Sequence, residues 1–183
     1  KYNIDDIANK LGFPMFVKPN TGGSSFATTK VKAIEELQKA IDTAFNETPD
    51  VIIESFISGK EVTCGCYKLE NKEVVFPLTE VVTPNEFFDY KAKYEGQVEE
   101  ITPARIPTDM TNQIQLLTKY IYDLVGAKGI IRVDFIIKDN EPYLLEVNTT
   151  PGMTQTSFIP QQVTAAGLNI TTVLSEIIEN EIN

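Results

Sequence analysis

Residues 129–148 read GIIRVDFIIKDNEPYLLEVN, two apolar runs with Asp139-Asn140 between them. Asx residues at a two-residue break are a hairpin signal, so the stretch predicts two strands joined by a tight turn. Side chains alternate along a strand. Arg132, Asp134 and Ile136 therefore share one face, and Val133 and Phe135 point the other way, into a core. By the same alternation Leu144, Glu146 and Asn148 share a face in the second strand. If the two strands pair, Asp134, Glu146 and Asn148 converge. Two carboxylates and an amide are all oxygen donors, the set that suits Mg²⁺ with bound water and phosphates. A solvated sheet face would place charges similarly, but the apolar residues flanking Arg132, Asp134, Glu146 and Asn148 weigh against it.

Working outward from this hairpin, TDMTNQIQLLTKYIYDLVGA (108–127) carries Ile114, Leu117, Ile121 and Leu124 at helical spacing, with Thr108 as the expected cap. After the hairpin come a Pro-Gly turn at 151–152 and two helices, IPQQVTAAG (159–167) and NITTVLSEIIEN (169–180). Upstream, residues 61–82 alternate as two antiparallel strands about a turn at Glu70-Asn71. VIIESFI (51–57) is an apolar strand, AIEELQKAIDTAFN (33–46) is a helix with Ile34, Leu37, Ile41 and Ala44 inward, and MFVKPN (15–20) is a strand ended by Pro19. A first helix lies near residues 3–12, capped by Asn3 or Asp5. Residues 84–105 lack a clear period and read as a long loop, a length that is usually functional or disordered. The pattern is that of an α+β chain in two lobes, residues 1–57 and 58–183, with the boundary near Ser55 to Gly59.

Composition excludes several function classes. The chain has 183 residues and a net charge of -10, which disfavours a nucleic-acid partner. No apolar run is long enough to cross a bilayer. There is no histidine, so a histidine base, a Ser-His-Asp triad and any His-ligated zinc site are excluded. Cys64 and Cys66 alternate about Gly65; a C-x-C pair can suggest metal or redox chemistry, but small buried residues of a reduced protein are the better reading.

Further candidates lie upstream. Lys18 stands in the otherwise apolar strand Met15 to Val17, as a snorkelling surface residue or as a cation for phosphate oxygens. The adjoining NTGGSS (20–25) offers close backbone approach and the hydroxyls of Ser24 and Ser25, without matching a Walker pattern. Lys91, Lys93 and Tyr94 sit in FFDYKAKY (87–94), which as a mobile loop would close over a phosphate and exclude water. Glu54 and Glu61 flank the apparent hinge, where Glu61 could accept hydrogen bonds from ribose hydroxyls.

Together these residues resemble the ATP-grasp enzymes, and within them the D-alanine–D-alanine ligase family. The resemblance rests on VGAKGIIRVDFIIKDNEPYLLEVNTTPGMTQTSFIP (125–160), supported by FPMFVKPNTGGSS, VIIESFISGKEVT and FFDYKAKY, and spans nearly the whole chain. It implies an ATP-grasp fold, two α+β lobes with mainly antiparallel sheets gripping ATP between them. It implies Lys18, Ser24 and Ser25 on the ATP phosphates, Glu54, Phe56 and Ile57 at adenine, and Glu61 on the ribose. Lys93 would meet the γ-phosphate and Tyr94 would close the site. Asp134, Glu146 and Asn148 would hold two Mg²⁺ ions, for which Mn²⁺ could substitute. Arg132 and the Gly152 amide would stabilise an oxyanion, and Ser157 and Phe158 would receive the second amino acid's carboxylate.

The implied activity is the cytoplasmic joining of two D-alanines for peptidoglycan precursor synthesis, by a protein that is a homodimer at full length. Alternatives are another ATP-grasp carboxylate–amine ligase, a D-alanine–D-lactate ligase, or a non-catalytic nucleotide-binding module. Tyr94 leans toward the dipeptide product; Phe88, a tyrosine in some members, carries little weight. Family members also have an N-terminal domain and a further phosphate-binding lysine upstream of the first strand. The chain therefore reads as a fragment expected not to sustain the full reaction alone.

Overall fold

The computed structural model describes residues 2–21, 26–82 and 99–182. They form two compact units that divide between Ile57 and Ser58. The first contains α1 (Ile4–Leu11), β1 (Met15–Pro19), β2 (Thr29–Val31), α2 (Ile34–Phe45) and β3 (Val51–Ser55). Its sheet has the order β2-β1-β3 and is antiparallel throughout. Leu37, Ala40, Ile41 and Ala44 recur at i, i+3, i+4 and i+7, so α2 presents one apolar stripe, which packs on Met15, Val17 and Val31. Met15 and Val17 alternate with Phe16 and Lys18, which leaves the latter pair on the face away from the helices.

The second unit is built on β4 (Lys60–Leu69), β5 (Lys72–Val75), β6 (Thr79–Val82), β7 (Glu99–Ile101), β8 (Ile130–Lys138) and β9 (Glu141–Asn148). The sheet order is β7-β6-β4-β8-β9, with β5 pairing β4 beyond the end of β6. Helix α3 (Thr108–Leu124) covers one face. There it buries Ile114 and Ile121 against Val62, Cys64, Cys66, Val133 and Phe135, each such aliphatic side chain contributing about 1.5–3 kcal/mol. Both cysteines are free and buried, and burial pushes each thiol up to about 12.

The opposite face decides where a site can be. Helices α4 (Phe158–Ala165) and α5 (Ile170–Ile182) cover its Tyr67–Ile130 end, through Phe76, Ile159, Val163 and Val173, and α4 reaches on over Gly65 through Ile159 and Gln162. The other end carries the rows Thr63–Asp134–Glu146 and Gly65–Arg132–Asn148 across β4, β8 and β9. Among the described residues no helix is long and apolar enough to cross a membrane.

Several local expectations are corrected. Thr108 is the first helical residue of α3, and Pro107 is its cap, with no side-chain capping bond. Leu124 is exposed, and Thr118 and Tyr122 take its place on the buried stripe; Ile34 of α2 is likewise exposed. Residues 61–82 form three strands, because Phe76-Pro77-Leu78 interrupts the return run and lets β6 pair nearer the start of β4. The aperiodic stretch 84–105 contains β7, which pairs with β6. A bulge between Asp134 and Phe135 in the β8–β9 register places Leu144 opposite Phe135, out of phase with Glu146 and Asn148. The predicted common face of Leu144, Glu146 and Asn148 therefore holds only for the last two. The Asp139-Asn140 turn adopts positive φ at both residues, as a two-residue hairpin loop requires.

Candidate active site

Strand pairing alone brings the four hairpin residues together. Asp134 faces Glu146 across β8–β9, and Arg132 faces Asn148 one row along. Arg132 makes a bidentate pair with Asp134, from Nε to Oδ1 and from Nη2 to Oδ2, each 2.8 Å. Asn148 donates Nδ2 to Asp134 Oδ2 at 3.1 Å and to Glu146 Oε1 at 3.2 Å. Glu146 Oε1 lies 3.8 Å from Arg132 Nη2. Asp134 is only 6% exposed, whereas the Glu146 side chain is 52% exposed. Burial works against the Arg132 charge, but hydrogen bonds and charge from Asp134, with Glu146 and Glu61, hold its guanidinium above the usual range.

The charge balance of this cluster is two carboxylates against one arginine. Across β4 from Asp134, Thr63 is 2% exposed and its Oγ1 has no hydrogen-bond partner among the described residues. A buried unsatisfied hydroxyl beside two carboxylates marks a place that water or a ligand completes. The donor set fits a hard divalent cation. Among the described residues no three His, Cys, Asp or Glu side chains gather to hold a metal, so the centre comprises two carboxylates and an amide. With its NH₂ toward the carboxylates, Asn148 serves as a donor. Turned by half a rotation it offers Oδ1, an arrangement that three facing oxygens tolerate only around a cation.

The Pro-Gly turn follows β9 directly, and the helix after it reaches this cluster through Phe158. A Cβ added to Gly152 would stand 2.8 Å from Ser157 Oγ, so the turn packs closely on the residue that caps the next helix. Ser157 Oγ shares a 2.8 Å hydrogen bond with Thr154 Oγ1. Phe158 begins α4, and its ring centroid lies 5.1 Å from Arg132 Cζ, within cation–π range. Glu61 lies on the same sheet face, opposite Ile136, and contributes to the field at Arg132.

In the first unit, Lys18 Nζ is held by Glu54 Oε1 at 2.7 Å. Phe56 meets Phe16 edge-on at 5.8 Å, and Lys30 Nζ stands 3.6 Å above the Phe56 ring. Ile57 is half-buried. Ser24, Ser25, Phe88, Lys91, Lys93 and Tyr94 lie outside the described residues. Sequence reasoning missed Thr63, Lys30 and Gln162. Gln162 is fully buried between the apolar Ile159 and Val163, a position at which the sequence gives an amide no announced partner.

Comparison with known proteins identifies relatives. The model of the family described as "D-ala D-ala ligase C-terminus" matches residues 1–179. A D-alanine–D-alanine ligase of Parabacteroides distasonis is 65% identical over 97% of this chain, which is 54% of the relative's length. One from Bacteroides fragilis is 63% identical over 97% of the chain and 55% of its own. The chain thus spans about half the length of the curated relatives it matches. Among solved structures, the VanG D-Ala:D-Ser ligase of Enterococcus faecalis superposes with a TM-score of 0.85 at 35% identity, over 96% of this chain and 52% of that one. The Bacillus anthracis D-alanine–D-alanine ligase complexed with ATP gives 0.78 at 30% identity, over 100% and 55%.

Proposed function

The chain belongs to the D-Ala–D-Ala ligase C-terminal family, with the ATP-grasp fold, and from that premise we propose that it carries the nucleotide-binding and acyl-transfer half of an ATP-dependent ligase joining two D-alanines. The observation that carries the reading is the Arg132–Asp134–Glu146–Asn148 cluster, an anion-rich centre beside a glycine turn, in a chain this similar to such ligases.

In this reading the carboxylate of one D-alanine attacks the γ-phosphorus of ATP, releasing ADP and forming an acyl phosphate. The amine of a second D-alanine attacks the acyl carbon, loses a proton, and phosphate leaves. Asp134, Glu146 and the Asn148 carbonyl would hold Mg²⁺, which supplies positive charge against the phosphoryl oxygens. Arg132 and the Gly152 amide donate to the oxyanion that develops at the acyl carbon. Ser157 and Phe158 receive the carboxylate of the second amino acid. Residues up to Ile57 contribute Lys18 to the phosphates, with Glu54, Phe56 and Ile57 at adenine; residues from Ser58 contribute Glu61 to the ribose and the remaining site. Ser24, Ser25, Lys93 and Tyr94 complete the phosphate cover. Peptidoglycan precursor synthesis in the cytoplasm, by a homodimer, is the setting that fits this chemistry.

ADP release by the complete natural polypeptide, measured with Mg-ATP and D-alanine, tests the proposal. D-Alanine-dependent turnover with D-alanyl-D-alanine as the product is expected. Preference for D-serine or D-lactate as the second substrate would overturn the dipeptide assignment, and ATP binding without any turnover would favour a nucleotide-binding module.

A further inference from the structure

Gly65 of β4 is the cross-strand partner of Arg132. A Cβ at this position would stand 2.4 Å from Ile159 Cδ1, 2.9 Å from Gln162 Oε1 and 2.9 Å from Phe76 Cδ2. Helix α4 therefore seats directly on the strand beside Arg132 because residue 65 has no side chain. At this point the sheet also has a gap. Strand β4 pairs with β6 as far as Thr63–Thr79 and with β5 only from Cys66–Val75. The Gly65 amide and the Thr63 carbonyl face that gap with no strand opposite.

Gln162 closes the gap. Its Oε1 accepts from the Gly65 amide at 2.9 Å, and its Nε2 donates to Thr63 O at 3.0 Å and to Thr79 Oγ1 at 3.1 Å. The side chain is fully buried, and its bonds to the Gly65 amide and the Thr63 carbonyl satisfy main-chain groups that burial would otherwise penalise; Thr79 Oγ1 is also bonded to Thr102 Oγ1 at 2.6 Å. Phe158 lies four residues earlier, on the same side of α4, and its ring covers the Arg132 guanidinium.

We propose that Gln162 is a positioning residue for Arg132: it pins α4 into the β5–β6 gap, and the pinned helix holds the Phe158 ring on the guanidinium. The inference rests on the reading that Arg132 serves acyl transfer. It gives the ring a specific task. If Asp134 turns oxygens toward a cation, Arg132 loses part of its bidentate contact, and the ring is what keeps its aim.

The test uses the complete natural polypeptide with Gln162→Leu, Phe158→Leu and Phe158→Tyr. Two readouts are combined: the NMR signal of the Arg132 Nε–H, which the Phe158 ring current shifts, and kcat and KM for Mg-ATP and D-alanine. Gln162→Leu and Phe158→Leu are each expected to move the Arg132 signal in the same direction and to lower kcat about tenfold with KM for ATP unchanged, since small misplacement of a transition-state group acts on kcat. Phe158→Tyr, which retains a ring, recovers most of both. An unmoved Arg132 signal in a folded Gln162→Leu protein overturns the proposal, as does a rise in the D-alanine KM with kcat unchanged. Should Gln162→Leu not fold, Phe158→Leu decides: an unmoved signal there overturns the proposal equally. The signal is read without turnover, so a polypeptide lacking ligase activity would refute the functional reading while leaving the positioning of Arg132 measurable.

Discussion

Two clusters of the second unit each seat a buried carboxylate on an arginine, with opposite charge balances. At Glu80, 3% exposed, two cations serve one anion. Lys60 Nζ lies 2.6 Å from Oε1, while the Arg105 side chain and amide bond Oε2 at 3.0 and 3.1 Å. Burial alone would raise this carboxyl, but the hydrogen bonds from Arg105 and Lys60 carry it down to about 2. At Asp134 the balance among the described residues is reversed: Glu146 adds a second anion, Arg132 is the one cation that ion-pairs with the two carboxylates, and Thr63 Oγ1 has no hydrogen-bond partner. The first cluster is complete by itself. The second, among the described residues, is short of positive charge, which is what the proposed Mg²⁺ would supply. The difference between a structural clamp and a site thus lies in the bookkeeping of charge.

The largest effect that would break this comparison is expected from Glu146→Gln. Removing a carboxylate of the proposed metal site should lower turnover in the ADP-release assay by about a hundredfold or more. Because the Glu146 side chain is half exposed, the melting temperature should hardly move, the cost being below about 1 kcal/mol. A large loss of stability with turnover intact would make the Asp134 cluster a second clamp.

Glu80→Gln should show the reverse signature. It keeps shape but removes the charge that Lys60 Nζ and the Arg105 amide and guanidinium share, so about 2 kcal/mol is lost. That corresponds to a fall of about 4–8 °C in Tm for a chain of this size. Mn²⁺ affinity, read by paramagnetic resonance, should be unchanged; a weakened Mn²⁺ site would mean the two clusters are coupled.

These two variants also mark what the sequence allowed to be read. Alternation along 131–137 and 141–148 was enough to put Arg132, Asp134, Glu146 and Asn148 on one face, because both strands carry their polar residues at even spacing. It failed at Leu144, since a bulge shifts phase without any local residue to announce it. Glu80 and Gln162 were illegible for another reason. Their partners lie 20 to 99 residues away in sequence, so only the folded sheet reveals that a surface-type residue is buried and satisfied. The two-lobed α+β pattern was legible because amphipathic stripes and turn residues are local. The interruption at Phe76-Pro77-Leu78, which creates the gap that Gln162 fills, was not, since strand pairing is a property of the whole sheet.

A smaller effect is the pH dependence of stability. The folded Glu80 carboxyl titrates at about 2, below its ordinary value of 4.5. The folded state therefore binds fewer protons than the unfolded one in this window, and stability falls as pH falls. The contribution is complete above the unfolded value and is lost progressively toward about pH 2. Urea unfolding between about pH 5 and pH 3 should show the gap between wild type and Glu80→Gln narrowing with acid, because the variant lacks this group. A gap that stays constant across that range would mean that shape, rather than charge, makes Glu80 stabilising.

The smallest effect is expected from Lys60→Met, and it asks how redundant the clamp is. Lys60 gives Glu80 one short bond from a side chain that is 40% exposed. Arg105 supplies the rest through its backbone amide and its guanidinium. With Lys60 gone, Glu80 keeps a cation and its main-chain donor, and the methionine stem covers much of the apolar surface that the lysine stem covered. The loss should be below about 1 kcal/mol, as for other partly exposed ion pairs. The acid limb should shift only slightly upward in pH, since one of two cations holding the carboxyl down has been removed. A loss as large as that of Glu80→Gln would show that the cluster acts as an indivisible triad, and the excess of cations would then be a requirement of the fold rather than a margin.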